Sequence, residues 1–394
     1  MRSKSDKKKP LVPSLRFPEF REAGAWEVKR LGGIGSVSMC KRILKSQTSE
    51  SGDIPFYKIG TFSKQADAFI ENKIYEEFKE KYSFPNKGDI LISASGTIGR
   101  TVVYDGKPAY FQDSNIVWIA NNENILLNAF LYYCYKTIQW QTDDNTISRL
   151  YNDNLRKMKI VVPPIPEQQK IAHCLSSLDE VIGLQAKKVQ ALKQHKKGLM
   201  QQLFPAEGET TPRLRFPEFR EAGAWEVKEL SAALAYAQPT PFIVSTEQYG
   251  TSGTPVLTAG KTFILGHTSE DFGIYERVPV IIFDDFTTEA KFVDFPFKVK
   301  SSAIKILSPR PGYSLKFVLE AIISIQFDAS QHKRHWIGEF QHLKIPFPPP
   351  KEQQKIAHCL SSLDEVIGLD SHKLDALKNL KKGLMQQLFP QEVA

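Results

Sequence analysis

Two short segments combine an arginine with amide, imidazole and aromatic side chains. Residues 145–151 read NTISRLY, and residues 331–336 read QHKRHW. Arginine can bind a guanine edge through two hydrogen bonds, and asparagine or glutamine suits adenine, so both segments could contact DNA bases. In the alternative interpretation, Arg149 and Arg334 bind backbone carbonyls while Tyr151 and Trp336 fill the core. The residues alone leave both interpretations open.

The sequence also contains fragments of catalytic motifs. Residues 258–262 (TAGKT) end like a phosphate-binding loop, but that loop requires a glycine where Pro255 stands. Asp284 and Asp285, followed by Glu-Ala-Lys at 289–291, resemble the acidic pair and lysine of a metal-dependent nuclease. Glu-x-Lys triplets also start at residues 27, 77 and 226, so chance explains this one. We therefore predict neither a nucleotide-binding loop nor a nuclease centre.

Metal and methyl-transfer signatures are equally incomplete. His332 and His335 have the spacing of two ligands on a helix, but an arginine stands between them and no third ligand is evident. Residues 162–165 (VPPI) and 347–350 (FPPP) lack the polar first residue and the aromatic last residue of the adenine-methyltransferase signature. The sequence therefore predicts no catalytic residue, no metal site and no cofactor in this chain.

The composition narrows the class of protein. The chain has 394 residues, of which 41% are apolar and 24% charged, and it lacks a run of about 18 apolar residues that could span a membrane. Its formal charge of +8 fits a polyanionic partner, although many basic proteins bind none. The four cysteines lie far apart without a Cys-x-x-Cys motif, and no apolar stretch follows the basic N-terminal residues. We expect a soluble cytoplasmic protein without zinc ribbons or disulfides.

An internal repeat organises the chain. The segment LRFPEFREAGAWEVK at residues 15–29 recurs letter for letter at 214–228. EQQKIAHCLSSLDEVIGL at 167–184 recurs at 352–369, and KKGLMQQLFP at 196–205 recurs at 381–390. Each half therefore has a copied entry segment, a variable region and a copied exit segment. Copied frames around different contents indicate that the frames share one role and that the variable regions have two different ones.

Each exit segment carries a heptad pattern. Apolar residues recur at alternating steps of three and four, apart from polar interruptions, from residue 167 to 204 and again from 352 to 389. Prolines at 163, 164 and 166 and at 348–350 are expected to stop the helices at their starts, and prolines at 205 and 390 at their ends. Two long helices with one narrow apolar stripe each are natural partners, although the long connection permits either orientation. The predicted seam consists of Leu175, Leu178, Ile182, Gln185, Leu192, Leu360, Leu363, Ile367, Asp370 and Leu377.

The variable regions are predicted to be α+β domains that share one fold. GDILISAS at 88–95 parallels VPVIIFDD at 278–285, because each apolar run ends in small or acidic polar residues. Aromatic residues of the entry segments, such as Phe17 and Trp26, are expected to dock onto the exit helix of the other half. The strand candidates are 89–92, 101–104, 116–120, 278–283 and 303–307, and the helix candidates are 126–140 and 315–327. The predicted domains are 1–162 and 206–347, and the predicted long helices are 163–205 and 348–394.

These frames and motifs resemble the specificity subunits of type I restriction-modification systems. GDILISASGTIGR at 88–100, QDSNIVWI at 112–119 and TISRLYNDNLRKMKIVVPP at 146–164 are typical of their target recognition domains. PVLTAGKTFILG at 255–266 and VIIFDDFTT at 280–288 resemble another subtype of such domains. The resemblance covers nearly the whole chain from residue 15 onward.

The resemblance implies a fold and a set of partners. Two mixed α/β recognition domains would each read one half of a split, asymmetric site in double-stranded DNA. Two long helices would form an antiparallel coiled coil that spaces the domains and holds two modification (methyltransferase) subunits. S-adenosylmethionine would then belong to the methyltransferase partner, and ATP and Mg to the restriction subunits, while this chain itself is not catalytic.

The predicted DNA-contacting residues come from both variable regions. Two other function classes remain open at this point: an enzyme built on a duplicated DNA-binding fold, and a coiled-coil scaffold without a DNA role. The candidates are Lys58, Arg100, Gln112, Ser114, Asn115, Arg149, Tyr151, Lys261, Thr287, Lys300, Ser302, Lys333, Arg334 and Trp336.

Overall fold

The structure is a computed structural model of the chain that describes residues 11–138, 140, 150–259, 262–325 and 335–390. The chain divides into two compact units. Unit 1 comprises Met1–Leu184 and Leu374–Ala394, and unit 2 comprises Gln185–Lys373. Each unit therefore contains one variable region together with parts of both copied exit segments.

Nine strands and four α-helices begin in unit 1 among the described residues. The strands are β1 (Glu27–Arg30), β2 (Gly35–Ser38), β3 (Ile54–Tyr57), β4 (Phe69–Ile70), β5 (Ile90–Ser93), β6 (Thr101–Val103), β7 (Tyr110–Phe111), β8 (Ile116–Asn121) and β9 (Lys159–Val162). The helices are α1 (Asn72–Lys81), α2 (Asn128–Thr137), α3 (Asn152–Lys157) and α4 (Ile165–Leu203).

The remaining elements begin in unit 2. The strands are β10 (Glu226–Glu229), β11 (Leu234–Ala237), β12 (Thr254–Leu257), β13 (Ile264–Thr268), β14 (Val280–Asp284), β15 (Ala290–Val293), β16 (Lys298–Val299), β17 (Ile304–Pro309) and β18 (Lys344–Phe347). The helices are α5 (Leu230–Ala233), α6 (Leu315–Ser324) and α7 (Pro350–Leu388).

The two units have the same sheet topology. Unit 1 contains a four-stranded sheet in the order β2-β8-β5-β6, a three-stranded sheet β4-β3-β7 and the pair β1-β9. Unit 2 contains the corresponding sheets β11-β17-β14-β15, β13-β12-β16 and β10-β18. In the three-stranded sheets, β3 pairs with β7 and β12 with β16 in parallel, and all other pairs are antiparallel. The predicted α+β class is therefore confirmed, and the two variable regions share one fold.

The central strands are the apolar runs recognised in the sequence. Every residue of β5 and of β14 is buried, as expected for β-branched runs covered on both faces. The register pairs Ser93 with Ile116 and Asp284 with Ile304, so Ala94 corresponds to Asp285. The predicted alignment of 88–95 with 278–285 is therefore wrong by one residue, because an uninterrupted apolar run lacks the alternation of polar and apolar residues that would fix its register.

The prolines do not stop α4 and α7 where we expected. α4 starts at Ile165, with Pro166 inside its first turn, and α7 starts at Pro350 itself. The N–H groups of a first turn have no partner within the helix, so a proline there sacrifices no hydrogen bond.

The long helices pair in the antiparallel sense. Within unit 1, Asp179 of α4 binds Lys381 of α7. Within unit 2, Gln185 meets Asp370, and the later residue Lys196 meets the earlier residue Asp364. Of the predicted seam, Leu175, Gln185, Leu360 and Asp370 are buried, and Leu178, Ile182, Leu192, Leu363, Ile367 and Leu377 are half-buried.

A polar contact occupies the middle of the seam. Gln185 Nε2 donates to Asp370 Oδ1 at 2.8 Å and to its backbone oxygen at 3.0 Å. Lys188 Nζ lies 2.9 Å from Asp370 Oδ2. The amide of Gln185 and the ammonium of Lys188 hold the pKa of Asp370 below its usual value. A buried polar pair that is satisfied in one register only disfavours slipped pairings of the two helices.

The copied entry segments fasten both long helices. In unit 1, Leu15 N–H donates to Gln387 O of α7 at 3.0 Å, while Arg16 forms a buried, two-point ion pair with Glu167 of α4. Hydrogen bonding to this carboxylate raises the pKa of Arg16. In unit 2, Leu214 and Arg215 make the corresponding contacts with α4 and α7. The predicted docking on the exit helix of the other half is thus observed, together with an ion pair to the segment's own exit helix.

The frame meets different side chains in the two units. In unit 2, Glu320 of α6 is buried and lies 2.9 Å from Lys196, which also binds Asp364. Burial is the main reason that the pKa of Glu320 is raised. The corresponding position of α2 in unit 1 is Tyr133, whose hydroxyl donates to Asp179 at 2.9 Å. The variable domains therefore contribute either an acid or a neutral phenol to the same lysine–aspartate pair.

This difference predicts a pH effect for Glu320→Gln. Because the folded chain keeps the proton of Glu320 to a higher pH than the unfolded chain, wild-type stability falls as pH rises from the ordinary carboxyl pKa of about 4.3 toward the raised value. The difference in melting temperature between the variant and the wild type should therefore change in favour of the variant as pH rises above about 4.3. Thermal unfolding followed by circular dichroism across this range measures the gap.

The matched control is Tyr133→Phe in unit 1. Burial raises the pKa of this phenol further above its ordinary value, so it stays protonated throughout the range. Its effect on the melting temperature should therefore be the same at every pH. A gap for Glu320→Gln that does not change with pH would contradict the raised pKa.

Candidate nucleic-acid interface

A basic cavity opens on the three-stranded sheet of unit 1. Its volume is about 490 Å³, and it lies where the chain leaves β2, β3 and β7. Its lining includes three cations and one carboxylate, and with Asp67, which pairs with Lys58, the local charge remains positive. Among the lining residues are Arg42, Lys45, Lys58, Gln112, Asp113, Ser114 and Asn115. Four predicted DNA-contacting residues, namely Lys58, Gln112, Ser114 and Asn115, therefore meet at one place.

The turn at residues 112–115 is held in a fixed conformation. Gln112 Oε1 accepts a hydrogen bond from Ile59 N–H at 2.9 Å, and Asn115 Oδ1 accepts one from Ser95 Oγ at 2.9 Å. Ser114 adopts a left-handed backbone conformation with φ of 60°. Since both amide side chains use their oxygens inside the protein, their NH₂ groups are the donors that remain for a ligand.

Lys58 and Arg100 have different environments. Lys58 Nζ forms an ion pair with Asp67 at 2.8 Å, and its side chain is 41% exposed. Arg100 donates to the backbone oxygens of Ile59 at 2.8 Å and Phe62 at 3.3 Å. Arg100 therefore positions the segment that follows Lys58. Its own contact with DNA stays a prediction.

A second cavity of about 480 Å³ shares Ser114 with the first. Tyr151, Asn152 and Arg156 line it, and the side chain of Tyr151 is 59% exposed. An exposed aromatic ring beside an amide and a cation can stack on a base or pack against a sugar. Tyr151 is therefore placed as a surface residue, contrary to the interpretation in which it fills the core.

Unit 2 carries different residues at the equivalent turn. The N–H of Lys300 bonds to Leu257 O just as that of Gln112 bonds to Tyr57 O, so residues 300–303 correspond to 112–115. Lys300 Nζ binds Glu247, and Ser302 O accepts from Lys305. The registers of the strands before the two turns agree with this correspondence.

Both acidic residues of the pair Asp284–Asp285 in unit 2 form hydrogen bonds or ion pairs within the protein. Asp284 accepts hydrogen bonds from Phe286 N–H at 2.9 Å and from Thr287 Oγ at 2.6 Å, and Thr287 itself is exposed. Asp285 is buried, lies 2.9 Å from Lys305 Nζ and accepts from Trp336 N–H at 2.8 Å. No group of three histidine, cysteine or acidic residues that could hold a metal ion occurs in the described part of the chain.

The prediction that Trp336 contacts DNA is wrong. Its side chain is fully buried and packs against Phe283 and Phe340, with ring centroids 5.1 Å and 6.1 Å away. The repeat offset of 185 residues pairs Trp336 with Tyr151, but only Trp336 is buried. The segments that follow these two residues differ, because Tyr151 precedes helix α3 whereas Trp336 precedes a short 3-10 helix that begins at Phe340. Arg149, Lys261, Lys333 and Arg334 lie outside the described residues.

Several basic residues of this surface were not predicted. Arg42 and Lys45 follow β2 in the run SMCKRILK, and Arg156 lies at the end of α3. The only signal in the sequence was the basic run itself, and such runs are common on surfaces. The contact of Arg42 with Asp113, which is 71 residues away, required the fold.

Comparison with known proteins decides the family. The model of the type I restriction modification DNA specificity domain matches residues 24–194 and 280–379, which are more than half of the chain. The chain belongs to this family. The crystal structure of a type I restriction-modification system S subunit from M. genitalium has the same fold, with a TM-score of 0.70 and 15% identity over 97% of this chain and 100% of that one.

Curated relatives of this type I specificity chain carry the same designation. A Haemophilus influenzae protein described as a type I restriction enzyme specificity subunit is 60% identical over 39% of this chain and 40% of that protein. The EcoR124I/EcoR124II specificity subunit of Escherichia coli is 47% identical over 34% of each chain. The MjaVIII specificity subunit of Methanocaldococcus jannaschii is 24% identical over 95% of this chain and 93% of its own. The match thus spans less than half the length of the first two relatives and nearly all of the third.

The structure predicts a large loss of stability for a substitution at Trp336 and almost none at Tyr151, although the repeat pairs these two residues. Trp336→Ala removes a fully buried ring and should lower the free energy of unfolding by about 3–5 kcal/mol. Tyr151→Ala truncates an exposed side chain and should change it by less than about 0.5 kcal/mol. Urea denaturation of the two variants measures both values, and equal losses would contradict the assigned environments.

Proposed function

We propose that the protein is the DNA specificity subunit of a type I restriction-modification complex and that each unit reads one half of a split, asymmetric duplex site. The observation that carries the proposal is the pair of units with one topology and one copied frame but different side chains at equivalent turns. A shared fold presents the turns in the same way, while different side chains recognise different bases.

The charge of the unit 1 surface supports duplex DNA as the ligand. Cations at Arg42, Lys45 and Lys58 surround amide donors at the turn 112–115. Cations neutralise phosphates irrespective of sequence, and oriented amide groups distinguish base edges. Such a mixture suits a ligand that must be held along its backbone and read at its grooves.

The copied helices support roles in spacing and assembly. α4 and α7 each contain residues of both units. From residues 167 and 352 onward, their sequences are identical on either side of a short central stretch that differs. The stretches that are identical in the two exit segments, 167–184 with 352–369 and 196–205 with 381–390, offer similar surfaces to identical partners, which fits two copies of a modification subunit. In this proposal the helices set the distance between the half-sites and hold those subunits.

Chemistry in this proposal belongs to the partners. The modification subunits methylate DNA with S-adenosylmethionine, and restriction subunits that use ATP and Mg²⁺ cleave it. This chain contributes recognition and acts in the cytoplasm. No helix in the described ranges is long and apolar enough to cross a membrane.

A domain exchange tests the proposal. Replacing residues 30–162 with the corresponding region of another family member should change one half of the recognised site and leave the other half unaltered, because β1 and β9 close unit 1 at these positions. Selection of bound duplexes from a randomised library, followed by sequencing, reads both halves at once.

The reciprocal exchange of residues 229–347 is the matched control, since β10 and β18 close unit 2 in the same way. It should change only the other half. A simultaneous change of both halves in either chimera would show that the units do not read independently. Duplex affinity that does not fall as salt rises would favour the scaffold without a DNA role.

A further inference from the structure

The lining of the unit 1 cavity contains an arginine whose Nε atom is paired with a less exposed carboxylate. Arg42 Nε donates to Asp113 Oδ2 at 2.9 Å, while the Arg42 side chain remains 67% exposed and that of Asp113 only 15%. A guanidinium has five N–H donors, so this bond leaves the four N–H groups of its two terminal nitrogens for a ligand. The pair is therefore an oriented donor fork at the mouth of the cavity.

Asp113 is itself fixed by its turn. Its backbone oxygen accepts from Asn115 N–H at 2.6 Å, and Ser114 Oγ lies 3.2 Å from its Oδ2. Holding the carboxylate also holds the arginine, which lowers the conformational entropy that the arginine loses on binding.

The pair belongs to the variable content and not to the shared frame. β2 and β11 end at Ser38 and Ala237, so counting four residues onward places Pro241 at the position of Arg42. β7 and β16 end at Phe111 and Val299, which places Ser301 at the position of Asp113. The same fold forms in unit 2 without the pair, so the fold does not require it.

We infer that Arg42, positioned by Asp113, reads a guanine in the major groove of the half-site bound by unit 1. Guanine offers two acceptors, O6 and N7, which match the two terminal nitrogens of the fork. The NH₂ groups of Gln112 and Asn115 in the same cavity also face an acceptor-rich edge better than a donor-bearing one. The inference rests on the proposed function and adds a base and a residue to it.

A phosphate is the weaker alternative for this arginine. The carboxylate of Asp113 reduces the net attraction of the pair for a phosphate but leaves the directional donors intact. A phosphate contact would also gain little from a fixed fork, because a lysine could supply the charge. Lys45 already supplies such a charge in the lining of the cavity.

The test is duplex selection from a randomised library with the full chain and four variants. The wild-type chain should enrich guanine at one position of one half-site. Arg42→Ala and Arg42→Lys should both reduce that preference by about 5- to 150-fold and leave the other half-site unchanged. Asp113→Asn should weaken the same preference, because Arg42 loses its charged support. Lys107→Ala, which removes an 84% exposed cation paired with Asp105, is the control and should change nothing.

The outcomes separate the inference from the function on which it rests. If Arg42→Ala weakens all sequences equally and Arg42→Lys restores them, the arginine binds phosphate and the inference is overturned. Unchanged preference in both arginine variants overturns it as well, provided that the wild type selects a split site. A wild-type chain without any sequence preference contradicts the proposed function itself. Because the side chains of Arg42 and Lys107 are exposed, melting temperatures close to the wild-type value should accompany the variants at these two positions.

Discussion

Both domain cores depend on the pairing of α4 with α7. In unit 1 the core includes Ile171 and Leu175 from α4 together with Leu388 from α7. In unit 2 it includes Leu203 from α4 together with Ile356 and Leu360 from α7. Neither core is complete unless both helices are present, so the variable domains fold against a common antiparallel frame. Buried ion pairs from the copied entry segments, at Arg16 and Arg215, connect each domain to that frame.

The periodic parts of the fold could be predicted from the sequence, because heptads and apolar runs report local structure directly. The predicted seam likewise included Gln185 and Asp370, and the structure brings these two residues into contact. The candidate site was predictable only in part. The turn at 112–115 was found from its polar residues, whereas Arg42 reaches it through contacts across 71 residues. The repeat also pairs Trp336 with Tyr151, yet only Trp336 is buried in the structure. The repeat offset could not predict this difference, because it does not show which of the two side chains the rest of the domain covers.

In the proposed function, the frame that the two domains share also sets the distance between the two half-sites. The halves of the chain have only the copied segments in common, and α4 and α7 are the elements long enough to hold two reading surfaces about one DNA turn apart. The account therefore makes the length of these helices the determinant of the gap between half-sites. Inserting one heptad after Gln185 and one after Asp370 keeps the apolar seam in phase and lengthens each helix by about 10 Å.

The decisive measurement is the spacer between half-sites in DNA methylated by the complex that contains this lengthened chain and its modification subunits. The account predicts a longer spacer, by at most about 3 base pairs at 3.4 Å per base pair, with both half-site sequences unchanged. The insertions leave the sequences of the variable domains unchanged, so the base preferences of these domains should stay the same. An unchanged spacer with full methylation would contradict the account, because it would show that the helices hold partners without setting the distance.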